Sequence, residues 1–134
     1  MSRTPDPRDA VVIRSVESGH TDAEGFKLVV HRLGSTKPPM LMDSQAKYAV
    51  LAAGHGDLLL RMLAPARPGY KEKIWDHAAG SLIVEEAGGK VTDLRGAALD
   101  FSNGRRLESN VGVVASNGVL HEAALEALEV SQLA

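Results

Sequence analysis

Ile74-Trp75-Asp76-His77-Ala78-Ala79-Gly80-Ser81-Leu82-Ile83-Val84-Glu85-Glu86-Ala87-Gly88-Gly89-Lys90-Val91-Thr92 is the stretch whose reading decides the fold. A carboxylate stands at its head, where an acidic side chain can accept free backbone N–H bonds and complement a helix dipole. The spacing predicts a helix from Asp76 that turns Ala79, Leu82, Ile83 and Ala87 inward. Gly88-Gly89 ends that helix, and Lys90 to Thr92 reads as a short strand. The same alternation extends outward in both directions. Ala10-Val11-Val12-Ile13, Leu58-Leu59-Leu60-Arg61-Met62 and Val111-Gly112-Val113-Val114-Ala115 read as strands. Thr21-Asp22-Ala23-Glu24 has the capping-box pattern, and Phe26, Val29, Val30 and Leu33 follow at helical spacing to Gly34. Asp43-Ser44 is a good N-cap pair for a helix through Ala46, Tyr48, Ala49, Val50 and Ala53. A last helix runs from about Asn117 to Glu129. Strands alternating with helices predict an α/β layered fold whose sheet is partly parallel.

The chain has 134 residues, the length of one domain with one core. Its 44% hydrophobic and 24% charged residues argue against disorder. A net charge of -2 gives no sign of the basic surface that binding to a nucleic-acid polymer requires. The absence of cysteine removes disulfide frameworks, thiolate zinc sites and cysteine nucleophiles. It is compatible with a reducing compartment, and the expected location is the cytoplasm, with an organelle left open. The longest apolar stretch, Tyr48 to Gly54, is far short of the roughly 18 residues of a membrane span. Residues 1–10 are polar, contain Pro5 and Pro7 and read as a tail without a targeting pattern.

Five residues stand out for chemistry. Asp76 reads first as a helix cap, and a carboxylate there can also offer an oxygen to a hard cation such as Mg²⁺. Small residues at Ala78, Ala79 and Gly80 permit close approach to that helix end. Ser44 and Lys47, three apart, share a face of a first helical turn. Hydroxyl, free N–H groups and ammonium together suit phosphate, although a capped helix with a solvated lysine has the same pattern. His20 precedes a helix start and is either plain polar surface or a ligand contact. Arg61, at the end of an apolar strand, is placed to meet a phosphate or base, or to reach solvent along its stem.

Four segments then occur in order: Asp43-Ser44-Gln45-Ala46-Lys47-Tyr48, Lys73-Ile74-Trp75-Asp76-His77-Ala78-Ala79-Gly80, Glu86-Ala87-Gly88-Gly89-Lys90-Val91-Thr92-Asp93 and Leu99-Asp100-Phe101-Ser102-Asn103-Gly104-Arg105. Together they resemble the C-terminal part of the 3'(2'),5'-bisphosphate nucleotidases, within the magnesium-dependent, lithium-sensitive inositol monophosphatase superfamily. The resemblance covers roughly residues 11–128. It implies the C-terminal half of a layered αβαβα fold over residues 11–134, a mixed sheet flanked by helices. It implies Mg²⁺ as cofactor and Asp76 as both a metal ligand and a substrate contact. It implies that Ser44 and Lys47 hold the nucleotide at its non-scissile 5'-phosphate, and that Arg61 and His20 contact the nucleotide. The His20 match is the weaker one, since Thr21-Asp22 follows where the family continues with serines.

The reaction implied is removal of the 3'-phosphate of adenosine 3',5'-bisphosphate to give AMP, in sulfur and nucleotide metabolism. The family's Asp-Pro-Ile-Asp-Gly-Thr motif, its catalytic glutamate and a further aspartate have no counterpart here; Asp6-Pro7 continues with Arg8-Asp9. No catalytic residue is therefore expected in this chain, which is expected to be inactive alone. A face left without its usual cover predicts self-association. The alternatives are a fragment of a general inositol-phosphate phosphatase, a non-catalytic nucleotide-binding module, and a remnant without function.

Overall fold

A computed structural model describes residues 1–16, 22–64 and 67–131. Among these residues five strands form one sheet: β1 Val12–Arg14, β2 Met40–Leu41, β3 Leu58–Arg61, β4 Lys90–Thr92 and β5 Val113–Ser116. Their order across the sheet is β2-β1-β3-β5-β4. β1 runs parallel to β2 and β3, whereas β5 runs antiparallel to β3 and β4. The sheet is thus mixed, as the alternating pattern predicts.

Among the described residues, four α-helices cover its two faces: α1 Ala23–Leu33, α2 Ala46–Ala52, α3 Ala78–Glu86 and α4 His121–Val130. Strand alternation divides the core. Val12, Leu58, Leu60 and Val114 pack with Phe26 and Val29 of α1 and Leu128 of α4. Ile13, Leu59, Val113 and Ala115 point the other way, to Tyr48 and Leu51 of α2 and Val84 of α3. Burial of both faces explains why the central strands read as unbroken apolar runs.

Local readings differ from expectation at α3 and at the N-terminal stretch. The α3 helix exists, but its buried residues are Gly80, Ser81 and Val84. Leu82 and Ile83 are 57% and 49% exposed, and Ala79 and Ala87 are exposed too. The small face turns inward because α3 crosses directly on α2. A Cβ at Gly80 would overlap the Tyr48 ring, so only glycine permits that approach. The capping-box hydroxyl Thr21 lies outside the described residues; the α1 cap described is Asp22, whose Oδ1 accepts from Gly25 N at 2.9 Å. Gly34 closes α1 in the left-handed region, at φ 76°. The polar stretch 1–10 runs against the domain instead of hanging free. Asn117 Nδ2 donates to Ser2 Oγ (3.2 Å) and Thr4 O (3.0 Å), Ala10 is fully buried and Met1 packs on the α2 side of the core.

The last helix begins at His121, not Asn117, and Asn117 Oδ1 accepts from Leu120 N just ahead of it. His121 itself is fully buried. Thr92 Oγ1 donates to Asp93 O, so it accepts from His121 Nε2 at 2.8 Å. Ser116 Oγ accepts from Gly118 N, and its hydroxyl donates to His121 Nδ1 at 2.8 Å. These bonds fix the neutral ring with its hydrogen on Nε2. Burial, helped by the Lys90 charge, pulls the His121 pKa down to about 4. The unfolded chain then binds the extra proton between the ordinary 6.5 and about 4, so stability is lost as pH falls through that window. The expected loss is on the order of 3 kcal/mol. Urea unfolding at pH 7, 5 and 4 tests this. His121→Gln should flatten the pH dependence, and an unchanged slope in that variant would refute the assignment.

Candidate functional site

The carboxyl ends of the three parallel strands point to one edge of the sheet. Ser15 follows β1, Asp43 and Ser44 follow β2, and Arg61 closes β3. Crevices beyond such strand ends are the usual ligand sites of α/β sheets. A cavity of about 630 Å³ lies there, lined by Ser44, Lys47, Tyr48, Arg61, Asp76 and His77. Four residues singled out by the sequence, Ser44, Lys47, Arg61 and Asp76, therefore meet in one place. His20 lies outside the described residues.

Each of them is held differently from what local sequence suggests. Ser44 adopts φ 68°, a left-handed conformation uncommon for serine, and its Oγ accepts from Ala46 N at 3.2 Å. Asp43, its expected capping partner, instead binds Val16 N through Oδ1 at 3.1 Å. Lys47 is not a solvated lysine: it is 7% exposed and its Nζ donates to Ser44 O at 3.0 Å. Burial, with the Arg61 charge nearby, lowers its pKa. Two of the three ammonium hydrogens remain available to a ligand.

Asp76 does not cap α3. Gln45 takes over that end: its Oε1 accepts from Gly80 N at 2.7 Å and its Nε2 donates to Trp75 O at 3.0 Å. One amide from the start of α2 thereby fixes both the short 3₁₀ turn Ile74–Asp76 and the first turn of α3. The Asp76 carboxylate is exposed and faces the cavity. Its oxygens suit a hard cation such as Mg²⁺. No group of three or more His, Asp or Glu able to hold a metal occurs among the described residues.

A buried polar chain underlies the cavity. Arg61 Nε donates to Glu72 Oε1 at 2.5 Å and its NH1 donates to Ser15 Oγ at 2.8 Å. His77 Nε2 stands 3.6 Å from the same Glu72 oxygen. The Tyr48 hydroxyl, kept protonated by burial, bonds His77 Nδ1 at 2.5 Å, which leaves Nε2 to carry a hydrogen toward Glu72. Glu72 is 2% exposed. Burial pushes its carboxyl up, but the neighbouring His77 and the Arg61 charge outweigh that and hold it at about 2. Glu72, His77, Tyr48, Gln45 and Ser15 were not singled out by the sequence. They come from four separate segments, and no local pattern marks a loop glutamate as buried.

The inositol monophosphatase family matches residues 1–133 of this chain. The chain belongs to the inositol monophosphatase family. Among curated proteins of similar sequence, the 3'(2'),5'-bisphosphate nucleotidase of Emericella nidulans is 47% identical over 129 residues, 96% of this chain and 36% of that protein. The 3'(2'),5'-bisphosphate nucleotidase of Schizosaccharomyces pombe is 46% identical over 127 residues, 95% of this chain and 35% of that one. The chain thus spans about a third of the length of these relatives. Of solved structures, a Thermotoga maritima IMPase aligns with a TM-score of 0.72 at 21% identity, over 98% of this chain and 45% of its own. The inositol monophosphatase of Anabaena aligns at 0.68 with 20% identity, over 100% of this chain and 50% of that one. The fold expected from the quoted motifs is the fold observed.

Proposed function

We propose that this chain supplies the nucleotide-holding part of a magnesium-dependent phosphatase that converts adenosine 3',5'-bisphosphate to AMP. The convergence of Ser44, Lys47, Arg61 and Asp76 on one cavity carries the reading. The relatives of similar sequence bear the same name for that activity. Lys47, with Ser44 beside it, receives the non-scissile 5'-phosphate, a charge-assisted contact strengthened by burial. Arg61 is locked between Glu72 and Ser15 and presents a fixed edge toward the nucleotide. Asp76 offers its free oxygens to the metal, and Gln45 holds the turn on which it stands. Magnesium, when bound, neutralises phosphate charge and orients water. His20 contributes a nucleotide contact on the strength of the sequence resemblance alone. The substrate is a small molecule, and no helix among the described residues is long and apolar enough to cross a membrane.

Lys47→Met is the direct test, since it keeps the buried stem and removes the charge. AMP is expected to bind with an affinity on the order of millimolar, about -4 kcal/mol. The variant should bind about tenfold more weakly and with less dependence on salt. Asp76→Asn should scarcely change AMP binding without metal. NMR titration reads both. The reading fails if amides near Ser44 and Lys47 do not shift, or if Asp76→Asn abolishes the shifts and Lys47→Met leaves them intact.

A further inference from the structure

The tripeptide Ser-Asn-Gly occurs twice, as Ser102-Asn103-Gly104 and as Ser116-Asn117-Gly118, and the fold treats the two copies oppositely. In an Asn-Gly pair the glycine nitrogen can attack the carbonyl carbon of the asparagine side chain, because glycine has no Cβ to obstruct the cyclic imide that forms. The reaction needs a backbone N–H that is not engaged, a side-chain amide free to turn toward it, and room for the ring.

Asn103-Gly104 meets these needs. Both residues are exposed, in a turn. Gly104 has φ 85°, and a Cβ there would meet no atom within 4 Å. Gly104 N donates to no acceptor among the described residues. The Asn103 amide donates through Nδ2 to Asp100 Oδ2 (3.2 Å) and Ser109 Oγ (3.1 Å). Both bonds are long and exposed, so water replaces them at little cost. Asn117 is 5% exposed instead. Its Oδ1 accepts from Leu120 N, and its Nδ2 donates to Ser2 Oγ and Thr4 O. Gly118 N is engaged as well, donating to Ser116 Oγ at 3.0 Å.

We propose that Asn103-Gly104 is a site of spontaneous deamidation whose product loosens the pairing of residues 105–107 with residues 72–74. Gly104 N gives up its proton to solvent and bonds Asn103 Cγ. The Cγ–Nδ2 bond then breaks, and the nitrogen takes up a proton and leaves as ammonia. Water adds to one of the two ring carbonyls and opens the imide to aspartate or isoaspartate. In sum, amide and water become carboxylate and ammonium, without oxidant or reductant. The product adds one negative charge to the net charge of -2. It also sets a carboxylate beside Asp100, where the amide now donates, so attraction turns into repulsion. Isoaspartate lengthens the main chain by one carbon besides. Close by in the chain, Ile74 N donates to Arg105 O at 3.0 Å, Leu107 N donates to Glu72 O at 2.8 Å, and Lys73 pairs with Arg106. A covalent change outside the cavity thereby reaches the segment that bears Glu72 and Asp76.

The test ages the pure chain in mildly alkaline buffer and digests it with trypsin, which separates Asn103, in residues 96–105, from Asn117, in residues 107–134. Mass spectrometry reads the exchange of amide for carboxylate in each peptide. In the folded chain Asn103 should convert more than about tenfold faster than Asn117, which must first give up several buried hydrogen bonds. In urea the two should convert at similar rates, since the local sequence is the same. Equal rates in the folded chain overturn the site, as does a rate ratio that urea leaves unchanged. Asn103→Gln, which keeps the amide, should remove the conversion at this position. Asn103→Asp is a homogeneous form of one product. Its hydrogen exchange at the Ile74 and Leu107 amides should be about fivefold faster than in the wild type. Faster exchange there in Asn103→Asp or in the aged chain supports the loosening, and unchanged exchange in both overturns it.

Discussion

Magnesium-dependent phosphate release from adenosine 3',5'-bisphosphate by this 134-residue chain is expected to lie at least a thousandfold below an ordinary enzyme turnover of about 10 per second. The reason is electrostatic. Phosphate hydrolysis by hard-metal catalysis needs carboxylates that fix the ions and position the attacking water. Two exposed acids, Asp43 and Asp76, line the cavity; Asp43 Oδ1 already accepts from Val16 N, and no group of three or more acids or histidines able to hold a metal occurs among the described residues. Glu72, the nearest further carboxylate by chain position, is committed to Arg61 and buried. The assay uses pure chain, millimolar magnesium and a colorimetric phosphate readout. Turnover within tenfold of about 10 per second would show that this chain assembles a working metal site, and Asp76→Asn would then have to abolish it.

Arg61→Ala should destabilise the fold by about 3–5 kcal/mol, the range for leaving a buried charge without its partner. Glu72 is 2% exposed, and it is kept ionised by Arg61 and His77 against the burial that opposes its charge. In the wild type its pKa lies below the ordinary 4.5, at about 2, so its stabilising contribution is complete above pH 4.5 and disappears as pH falls toward 2. Without the Arg61 charge, burial prevails and the carboxyl titrates higher. The penalty of Arg61→Ala should therefore shrink on acidification. Glu72→Gln tests the pair from the other side, and the double variant Arg61→Ala/Glu72→Gln completes the cycle. The expected coupling is above about 1 kcal/mol, because the two side chains are in direct contact. Losses that add to within about 0.5 kcal/mol would mean that the pair is not a unit.

The sequence by itself determined the fold class and pointed to four of the residues that line the cavity. Short apolar runs and period-3.6 patterns are local properties of the chain, so β3, α1 and α2 could be read from Leu58–Arg61, from Phe26 to Gly34 and from the run after Ser44. The motifs around Ser44 and Asp76, with Arg61 at the end of an apolar strand, pointed to four residues that line one cavity at the ends of the parallel strands. The tertiary structure alone decided which face of α3 turns inward. Hydrophobicity favoured Leu82 and Ile83, but the close crossing on Tyr48 demands the smaller Gly80 side, and closeness to another helix is not written in a helix's own pattern. It also decided the condition of each functional group. Lys47 is buried because α2 lies on the sheet, and Asp76 is free because Gln45, about thirty residues earlier in the chain, satisfies the end of α3 in its place. The Arg61–Glu72–His77–Tyr48 chain joins β3, a loop, the start of α3 and α2. Its energy comes from the desolvation of charges that meet only when those segments pack, and a linear sequence records the charges without recording where water is excluded.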